Sequence, residues 1–403
     1  MSCFICGGKQ LYKFLSLGHQ PPSDAFLKTG DLLKPEATYP LELCLCESCY
    51  LVQINYAVDP KKLFCDYVYN TGTNNSLKRS FEILVNNLVK RYKLGMNDLA
   101  IDIGSNDGTL LAYYRPHKVK ILGIDPSSAT KLALSNNIPT MVDFFSKKLA
   151  AKVIKQYGRA KIITATNVFA HVNQLDDFLA GVKDLLTDDG IFVSESGYLL
   201  DFIEKLQYDS IYHEHLRYYS LKPMQILFKK HGLEVIAVER GFIHGGSLIA
   251  HAAKRGKYPV AQSVAKLIKL EAKSGLYKKA TFDDFAERVK KNKFNLQKLV
   301  VAIKAKGGRI AGIGAPAKGN TLLNYCKLDK ETIDYLVEKS DLKIGTFTPG
   351  MHIPVVSEER LYLDQPDYAL MLSWNIADEL IPKIRNKGYQ GKFIIPHPEP
   401  KII

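Results

Sequence analysis

The sequence predicts an α/β protein with a mostly parallel sheet, and three observations carry this prediction. From residue 99 onward, short apolar runs alternate with stretches of helical character. Glycine-containing turns follow two of these runs, near residues 104–108 and near residues 312–314. Acidic residues stand at the ends of the first two apolar runs. Continuous apolar runs are typical of strands that are buried on both faces, and ligands bind such sheets at the carboxyl ends of the strands.

Length and charge set broad limits on the function. A chain of 403 residues is too long for one core, so we expect two or three domains. The formal net charge of +14 favours an anionic ligand, either a nucleotide sugar or a nucleic acid. We find neither an apolar run of membrane-spanning length nor a signal-peptide pattern, and therefore expect a cytoplasmic protein without membrane contact. In that compartment the seven cysteines should be reduced or bound to metal.

Two Cys-x-x-Cys pairs mark residues 1–57 as a small zinc-binding lobe. Paired thiolates on tight turns can close a tetrahedron around Zn²⁺, and four protein ligands leave no open position for catalysis. We therefore expect a structural zinc ion. Cys44 has the wrong spacing for either pair and is interpreted as a small buried apolar residue. The predicted ligands are Cys3, Cys6, Cys46 and Cys49.

The first glycine turn opens a predicted middle domain of residues 58–254. Asp102 ends its strand, and Gly104 and Gly108 would let the backbone approach a ligand closely. Asp125 ends the next strand and could accept hydrogen bonds from a ribose diol. We expect both carboxylates to be exposed at the sheet edge. The spacing Asp-x-Gly-x-x-x-Gly resembles the first motif of S-adenosylmethionine-dependent methyltransferases, which implies a Rossmann-like sheet and a cofactor contact at Asn106.

Further candidates for ligand contact lie around this turn. Phe144 could flank an adenine ring, although it could equally be a core aromatic. Asn167 and His171 follow the strand predicted at residues 160–165 and should face the active site. Tyr67 and Tyr69 lie in a polar stretch that is either a strand face or a segment that binds substrate.

The segment of residues 209–220 is unusually dense in titratable side chains. Tyr212, Glu214 and His215 lie within four residues of each other. General acid–base catalysis needs a group with a pKa near 7 that a neighbour orients, and a histidine beside a glutamate and a tyrosine provides both. The alternative is a surface helix with scattered polar residues. The sequence favours a catalytic segment.

The predicted third domain, residues 255–403, begins with a helical connector and continues as a smaller Rossmann-like unit. In its glycine turn Gly314 is followed by Lys318 and Asn320, and a lysine in the first turn of a helix suits a phosphate. The turn at His244 also indicates a place close to a ligand. Two glycine turns suggest two nucleotide ligands, one being the methyl donor and one carried by the substrate.

Taken together, these motifs resemble the three-domain sugar C-methyltransferases that act on thymidine-diphosphate-linked 4-keto-deoxysugars. The resemblance implies zinc in the N-terminal lobe, S-adenosyl-L-methionine in the middle domain and the nucleotide of the sugar against the C-terminal domain. It covers nearly the whole chain. The motifs are Cys3-x-x-Cys6 with Cys46-x-x-Cys49, Asp102-x-Gly104-x-x-x-Gly108, Tyr212-His213-Glu214-His215, His244-Gly245-Gly246-Ser247 and Gly312-x-Gly314.

The resemblance also implies a chemistry. A base removes the C3 proton of the 4-ketosugar, and the resulting enolate carbon attacks the sulfonium methyl group. By the same resemblance His215 would be the base, and Glu214 and Tyr212 would orient it or hydrogen-bond the keto oxygen. The polar run at residues 70–75 departs from the serine-rich run that we expect of the family, which leaves the sugar open.

Two other functions remain open on the sequence alone. Zinc and the basic charge would suit a zinc-ribbon RNA methyltransferase, but the basic residues are dispersed, so we expect no nucleic-acid partner. An O- or N-methyltransferase on a nucleotide sugar is the second alternative. We expect a monomer, because no exposed apolar stripe is evident.

Overall fold

The computed structural model describes residues 1–59, 63, 72 and 75–403. Tyr67 and Tyr69 lie outside the described residues, and His244 is described by its backbone. Among the described residues, no helix combines the length and the apolar character needed to cross a membrane.

Strands and helices alternate along most of the described chain, as the sequence predicts. The strands are β1 (Leu11–Gln20), β2 (Tyr39–Cys46), β3 (Val52–Ile54), β4 (Leu99–Ile103), β5 (Lys120–Ile124), β6 (Thr140–Met141), β7 (Ala160–Thr166), β8 (Leu186–Gly197), β9 (Arg217–Tyr218), β10 (Leu233–Gly241), β11 (Ser247–Lys254), β12 (Ile310–Ile313), β13 (Tyr335–Glu338), β14 (Val355–Ser357), β15 (Tyr368–Met371), β16 (Lys392–Ile395) and β17 (Lys401–Ile402). The helices are α1 (Asn75–Tyr92), α2 (Thr109–Ala112), α3 (Thr130–Ser135), α4 (Lys147–Tyr157), α5 (Leu175–Leu185), α6 (Leu199–Glu204), α7 (Leu221–Lys230), α8 (Gln262–Lys273), α9 (Lys279–Lys304), α10 (Ala317–Cys326), α11 (Glu359–Asp364) and α12 (Ala377–Asn386).

The central sheet has the strand order β10-β11-β8-β7-β4-β5-β6. Strands β4 to β8 pair in parallel, whereas β11 and β10 add an antiparallel edge. All residues of β4 are buried, which explains why four of its five residues are apolar. Because β4 lies between β5 and β7, the strand order reverses there, and an open α/β sheet binds its ligand at such a point.

The N-terminal sheet is antiparallel and has the order β1-β2-β3-β9. Its last strand comes from the middle of the chain, because Val52 pairs with Tyr218 and Gln53 with Arg217. The zinc-binding lobe is therefore joined by backbone hydrogen bonds to the strand that directly follows the segment Tyr212–His215.

The C-terminal sheet has the order β14-β13-β12-β15-β16-β17 and is parallel except for β17. The predicted helical connector is confirmed as α8 and α9. Helix α9 turns one apolar face into the core at helical spacing. The buried residues on that face include Phe282, Phe285, Val289, Leu296, Val300 and Ile303.

Candidate active site

The four cysteines of the two pairs come together as a metal site. Sγ of Cys3 lies 3.4 Å from Sγ of Cys49, and Sγ of Cys6 lies 3.6 Å from Sγ of Cys46. All four sulfur atoms lie within 4.8 Å of one another. A tetrahedron with Zn–S bonds of about 2.3 Å has sulfur atoms about 3.8 Å apart, so the residues fit zinc.

Cys44 stands apart from this cluster, as predicted. It is buried, and burial raises the pKa of its thiol to about 11. A protonated thiol is a poor metal ligand, which agrees with its interpretation as a small apolar residue.

The glycines of the first turn are required by close packing. Gly104 has φ +74°, and a Cβ atom there would lie 2.2 Å from Cγ2 of Val168. Gly108 has φ +78°, and its Cβ would lie 2.9 Å from Ile138. Any side chain would strain the backbone and collide with a neighbour. The turn therefore brings bare backbone to the carboxyl end of β4, as a cofactor cradle requires.

The two acidic residues near this turn differ from the exposed pair that we expected. Asp102 is only 2% exposed, and its Oδ1 accepts a hydrogen bond from Oγ1 of Thr164 at 2.6 Å. Burial raises the pKa of Asp102 to about 7. The expected exposure of Asp102 is thus wrong, because Thr164 on the neighbouring strand covers it.

Asp125 is also buried, but at the tip of β5, where it fixes the shape of the turn. Its Oδ2 accepts from the backbone N–H of Asn106 at 2.9 Å, and its Oδ1 accepts from the N–H of Ser127 at 2.7 Å. Asn106 itself has φ +51°. Asp125 is 6% exposed, so the expected exposure is wrong for this residue too. Its position at the tip of the second strand is as predicted.

Two further candidates lie on loops at the same edge of the sheet. Phe144 is 63% exposed, whereas the ring of Phe145 packs against Phe178 at 5.1 Å between centroids. Asn167 follows β7 with φ +57°, and its N–H donates to the carbonyl of Glu195 at 2.8 Å. The contacts of Phe144 and Asn167 with a cofactor stay predictions.

The segment Tyr212–His215 and the loop after β7 meet in a cluster of rings. The rings of His171 and His215 lie 4.9 Å apart, and those of Tyr212 and His215 lie 3.9 Å apart. The hydroxyl of Tyr212 lies 2.8 Å from Nε2 of His215. Nδ1 of His215 lies 3.0 Å from the carbonyl oxygen of Ser210, and Nδ1 of His171 lies 2.6 Å from that of Glu214.

These contacts assign the protons of both histidines. A carbonyl oxygen can only accept, so Nδ1 of His215 and Nδ1 of His171 each carry a proton and donate it. In a neutral ring Nε2 of His215 then holds the lone pair and accepts from the hydroxyl of Tyr212. Burial lowers the pKa of His171, partly offset by its hydrogen bond to Glu214, so this ring is neutral at pH 7.

Glu214 is where all three parts of the chain meet. Its carboxyl oxygens lie 3.2 and 3.3 Å from the hydroxyl of Ser23, which donates to them from the N-terminal lobe. The carbonyl of Ser23 accepts from Nδ2 of Asn320 on α10 at 2.6 Å. Burial, followed by the charge of Asp24, raises the pKa of Glu214 to about 7.

The loop after β7 links this cluster to the first glycine turn. Val168 lies against Gly104, and His171, three residues further along, lies against His215. One loop therefore contacts both the first glycine turn and the segment Tyr212–His215.

The second glycine turn differs from the phosphate cradle that the sequence suggests. Gly314 has φ +80°, but the N–H of Ala315 donates to Oε2 of Glu338 at 2.8 Å. Lys318 points the other way, to Asn375, with its Nζ 5.1 Å from the centre of the Trp374 ring. Burial lowers the pKa of Lys318 to about 8.

Sequence reasoning missed three residues that support the cluster: Ser23, Asp209 and Trp374. The carboxylate of Asp209 is fully buried, and its Oδ2 accepts from the indole N–H of Trp374 at 2.6 Å. Trp374 is the single tryptophan of the chain, which was a usable signal. The contact of Ser23 with Glu214 spans 191 residues, so no local pattern could show it.

Comparisons with known proteins assign families along the chain. Residues 3–64 match a zinc binding domain, residues 86–238 a methyltransferase domain and residues 242–398 the C-methyltransferase C-terminal domain. The C-methyltransferase NovU of Streptomyces niveus is 32% identical over 404 residues, which cover 100% of this chain and 96% of that protein.

Solved structures of methyltransferases resemble a part of the chain. An S-adenosylmethionine-dependent methyltransferase from Clostridium acetobutylicum is 12% identical, with a TM-score of 0.36, covering 44% of this chain and 92% of that chain. Magnesium protoporphyrin IX methyltransferase from Synechocystis is 14% identical, with a TM-score of 0.35, covering 48% and 91%.

The relative from Streptomyces spans the whole chain, and three family models match successive parts of it. The α/β fold, the cofactor and the structural zinc site that the sequence predicts are confirmed. The chain belongs to the C-methyltransferase family and is an S-adenosylmethionine-dependent C-methyltransferase with a zinc-binding N-terminal lobe.

Proposed function

We propose that the enzyme methylates C3 of a nucleotide-linked 4-keto-deoxysugar, the nucleotide being thymidine diphosphate, through an enolate. The observation that carries this proposal is the arrangement of His215, whose proton is held on Nδ1 while Nε2 faces a tyrosine hydroxyl. A neutral imidazole oriented in this way is a general base. Transfer to carbon needs such a base, because a C–H bond is not a nucleophile.

The methyl donor supplies an electrophilic methyl group when it is bound, and the turn from Gly104 to Gly108 with Asp125 would hold it. The task of the other residues is to make the acceptor carbon nucleophilic. Nε2 of His215 takes the C3 proton, and the electrons of the C–H bond move into a C3–C4 double bond. The negative charge then lies on the keto oxygen, to which the hydroxyl of Tyr212 can donate.

His171 and Glu214 take supporting parts in this proposal. Neutral His171 donates the proton on its Nδ1 to the backbone carbonyl of Glu214, so its role is to hold the ring of His215 through the tilted contact between the two rings. Glu214 ties the segment to the N-terminal lobe through Ser23. The carbonyl of Ser210 accepts from Nδ1 of His215 and so stabilises the imidazolium that forms.

The test is incubation of the enzyme with S-adenosylmethionine and a panel of 4-ketosugar nucleotides. Mass spectrometry should show a gain of one methylene mass with a thymidine diphosphate sugar, and NMR should place the new methyl group on C3. A methyl group on oxygen or nitrogen would contradict the proposal. A product from a non-nucleotide ketone, and none from any nucleotide sugar, would also contradict it.

The RNA methyltransferase alternative has a direct test of its own. The net charge of +14 would favour RNA binding, with an affinity that falls as salt rises. We expect no gel shift with RNA at physiological salt. A salt-dependent shift together with methylated RNA would favour the alternative. We further propose that the enzyme acts as a monomer, which sedimentation velocity can check.

A further inference from the structure

Arg217 is a buried cation that no step of the proposed reaction uses. Its side chain is 2% exposed. Burial lowers the pKa of Arg217; Tyr219 and Cys3 act in the opposite direction, and no carboxylate among the described residues does. A buried charge is costly unless its surroundings offset that cost, so this position needs a physical explanation.

Two backbone carbonyls of the loop after β7 accept hydrogen bonds from the guanidinium. One terminal nitrogen of Arg217 donates to the carbonyl of Val172, and the other donates to that of Asn173 at 3.4 Å. These two residues directly follow His171, whose ring contacts that of His215. The planar guanidinium presents its donors in fixed directions, so it can hold two acceptors at once. Arg217 therefore ties the loop to β9, which begins two residues after His215.

Further contacts join the same loop to the stretch that carries His215. The backbone N–H of Leu216 donates to the carbonyl of Ala170 at 3.2 Å, and the hydroxyl of Tyr219 donates to that of Phe169 at 3.4 Å. The rings of Tyr219 and Phe169 are stacked, with 5.2 Å between their centroids. In this series the guanidinium is the one charged donor, and charged donors make the stronger hydrogen bonds.

The guanidinium is also held from the zinc-binding lobe, by the ring of Phe4. Cζ of Arg217 lies 4.5 Å from the centre of this ring, which is within the range of a cation–π contact. Phe4 stands between the zinc ligands Cys3 and Cys6 in the sequence. Its N–H donates to Oε1 of Gln53 at 2.9 Å, and Gln53 pairs with Arg217 between β3 and β9. The metal-binding turn therefore fixes the ring that covers the guanidinium.

The charge of the metal site favours the same arrangement. Zn²⁺ bound by four thiolates has a net negative charge, because each cysteine contributes one anion. An attraction between buried groups of opposite charge is only weakly screened by salt. The zinc site therefore offsets part of the cost of burying Arg217.

We propose that Arg217 is a positioning residue, through which the zinc site keeps the loop after β7 in the place that the base His215 requires. The metal site holds Phe4, Phe4 holds the guanidinium, and the guanidinium holds the loop that carries His171. This inference rests on the proposed function, since it takes His215 to be the base. It gives a metal site with four protein ligands a part in the reaction without a contact to the substrate.

The first experiment compares the zinc-loaded natural chain with zinc-loaded Arg217→Met, in which both the charge and the donors are lost. Amide hydrogen exchange at Leu216, measured by mass spectrometry, should become about 10- to 100-fold faster, as expected for the loss of hydrogen bonds from a charged group. The kcat for methyl transfer should fall by a similar factor, while KM for the acceptor changes less than about threefold.

Two other arginine variants complete this experiment. Arg217→Lys keeps the charge but lacks the planar fork, so its exchange rate and its kcat should lie between those of the natural chain and Arg217→Met. The matched control is Arg385→Met, because Arg385 also contacts an aromatic ring, that of Phe393 at 4.6 Å, and donates to the carbonyl of Tyr389 at 2.8 Å. This control should leave both quantities unchanged.

The second experiment tests the link from the metal site. Phe4→Leu keeps all four cysteines, so its zinc content should be normal, whereas exchange at Leu216 should become about tenfold faster through loss of the cation–π contact. The matched control is Phe14→Leu in the same lobe, where the ring packs against Phe282 at 4.9 Å between centroids. Phe14→Leu should leave exchange at Leu216 unchanged.

Unchanged exchange at Leu216 in Arg217→Met, or faster exchange with an unchanged kcat, would overturn the inference and leave the proposed reaction standing. Normal exchange in zinc-loaded Phe4→Leu would overturn the link to the metal site. Amide exchange reports on the loop without any substrate. Failure of the natural enzyme to exchange the C3 proton of a 4-ketosugar would instead overturn the proposed function, so the two failures are distinguishable.

Discussion

Replacing His215 by asparagine should abolish most of the methyl transfer while leaving the fold intact. The amide of asparagine reaches about as far as Nδ1 of the imidazole, so it can keep the hydrogen bond to the carbonyl of Ser210. It has no counterpart of Nε2. That atom accepts the hydrogen bond from the hydroxyl of Tyr212 and, in the proposed reaction, takes the substrate proton. His215→Asn therefore removes the base and keeps its anchor.

The expected loss of methyl-transfer rate follows from the role of His215 as a general base. A positioned general base contributes about 10²- to 10⁴-fold. At about 1.4 kcal/mol for each factor of ten, this corresponds to about 3 to 5 kcal/mol of transition-state stabilisation. Binding of the donor should change little, because the glycine turn contacts Val168 and His215 contacts His171, so the loop after β7 stands between the two.

The assay is single-turnover methyl transfer, with donor affinity measured separately by calorimetry. The matched control is His231→Asn, because His231 pairs with Asp176 on the surface at the end of α7, outside the ring cluster. The control should turn over at the normal rate. A rate for His215→Asn within about tenfold of normal would refute the role of His215 as base.

Three further predictions concern the turn, a buried acid and the metal. Gly104→Ala should weaken the affinity for S-adenosylmethionine and lower the melting temperature, because its Cβ would lie 2.2 Å from Val168 at a positive φ; an unchanged affinity would show that the turn does not hold the donor. Burial raises the pKa of Glu195 from its ordinary 4.5 to about 7, so the folded state loses stability as pH rises between these values. Glu195→Gln should therefore be more stable than the natural chain by about 3 kcal/mol at pH 8 and equally stable at pH 4 in urea unfolding, and a difference independent of pH would contradict this. Cys3→Ser should lose zinc, measured by a chromogenic chelator, and with it activity, whereas Cys44→Ala should keep both; equal zinc in the two variants would contradict the ligand set.

The local features of the fold could be predicted from the sequence because local patterns determine them. The apolar run around Asp102 is β4, and the strand predicted at residues 160–165 lies within β7. The two cysteine pairs form one site, because two short turns of fixed spacing suffice to define it. The helical spacing of apolar residues in the predicted connector likewise indicated the long helix α9.

What could not be predicted depends on contacts between distant parts of the chain. Strand β9 has two residues, too few for a periodic signal, yet it joins the zinc-binding lobe to the part of the chain that carries Tyr212–His215. The burial of Asp102 follows from the register of β4 against β7, which brings Thr164 beside it. The direction of Lys318 follows from the position of Trp374, 56 residues further along the chain.

The most direct test of the account is hydrogen exchange at C3 of the 4-ketosugar nucleotide in D₂O, with the methyl donor left out. The account predicts that the natural enzyme replaces the C3 proton by deuterium faster than the solvent reaction does, and that His215→Asn does not. Exchange at equal rates in the two proteins, or no enzyme-catalysed exchange while methyl transfer to carbon proceeds, would contradict it.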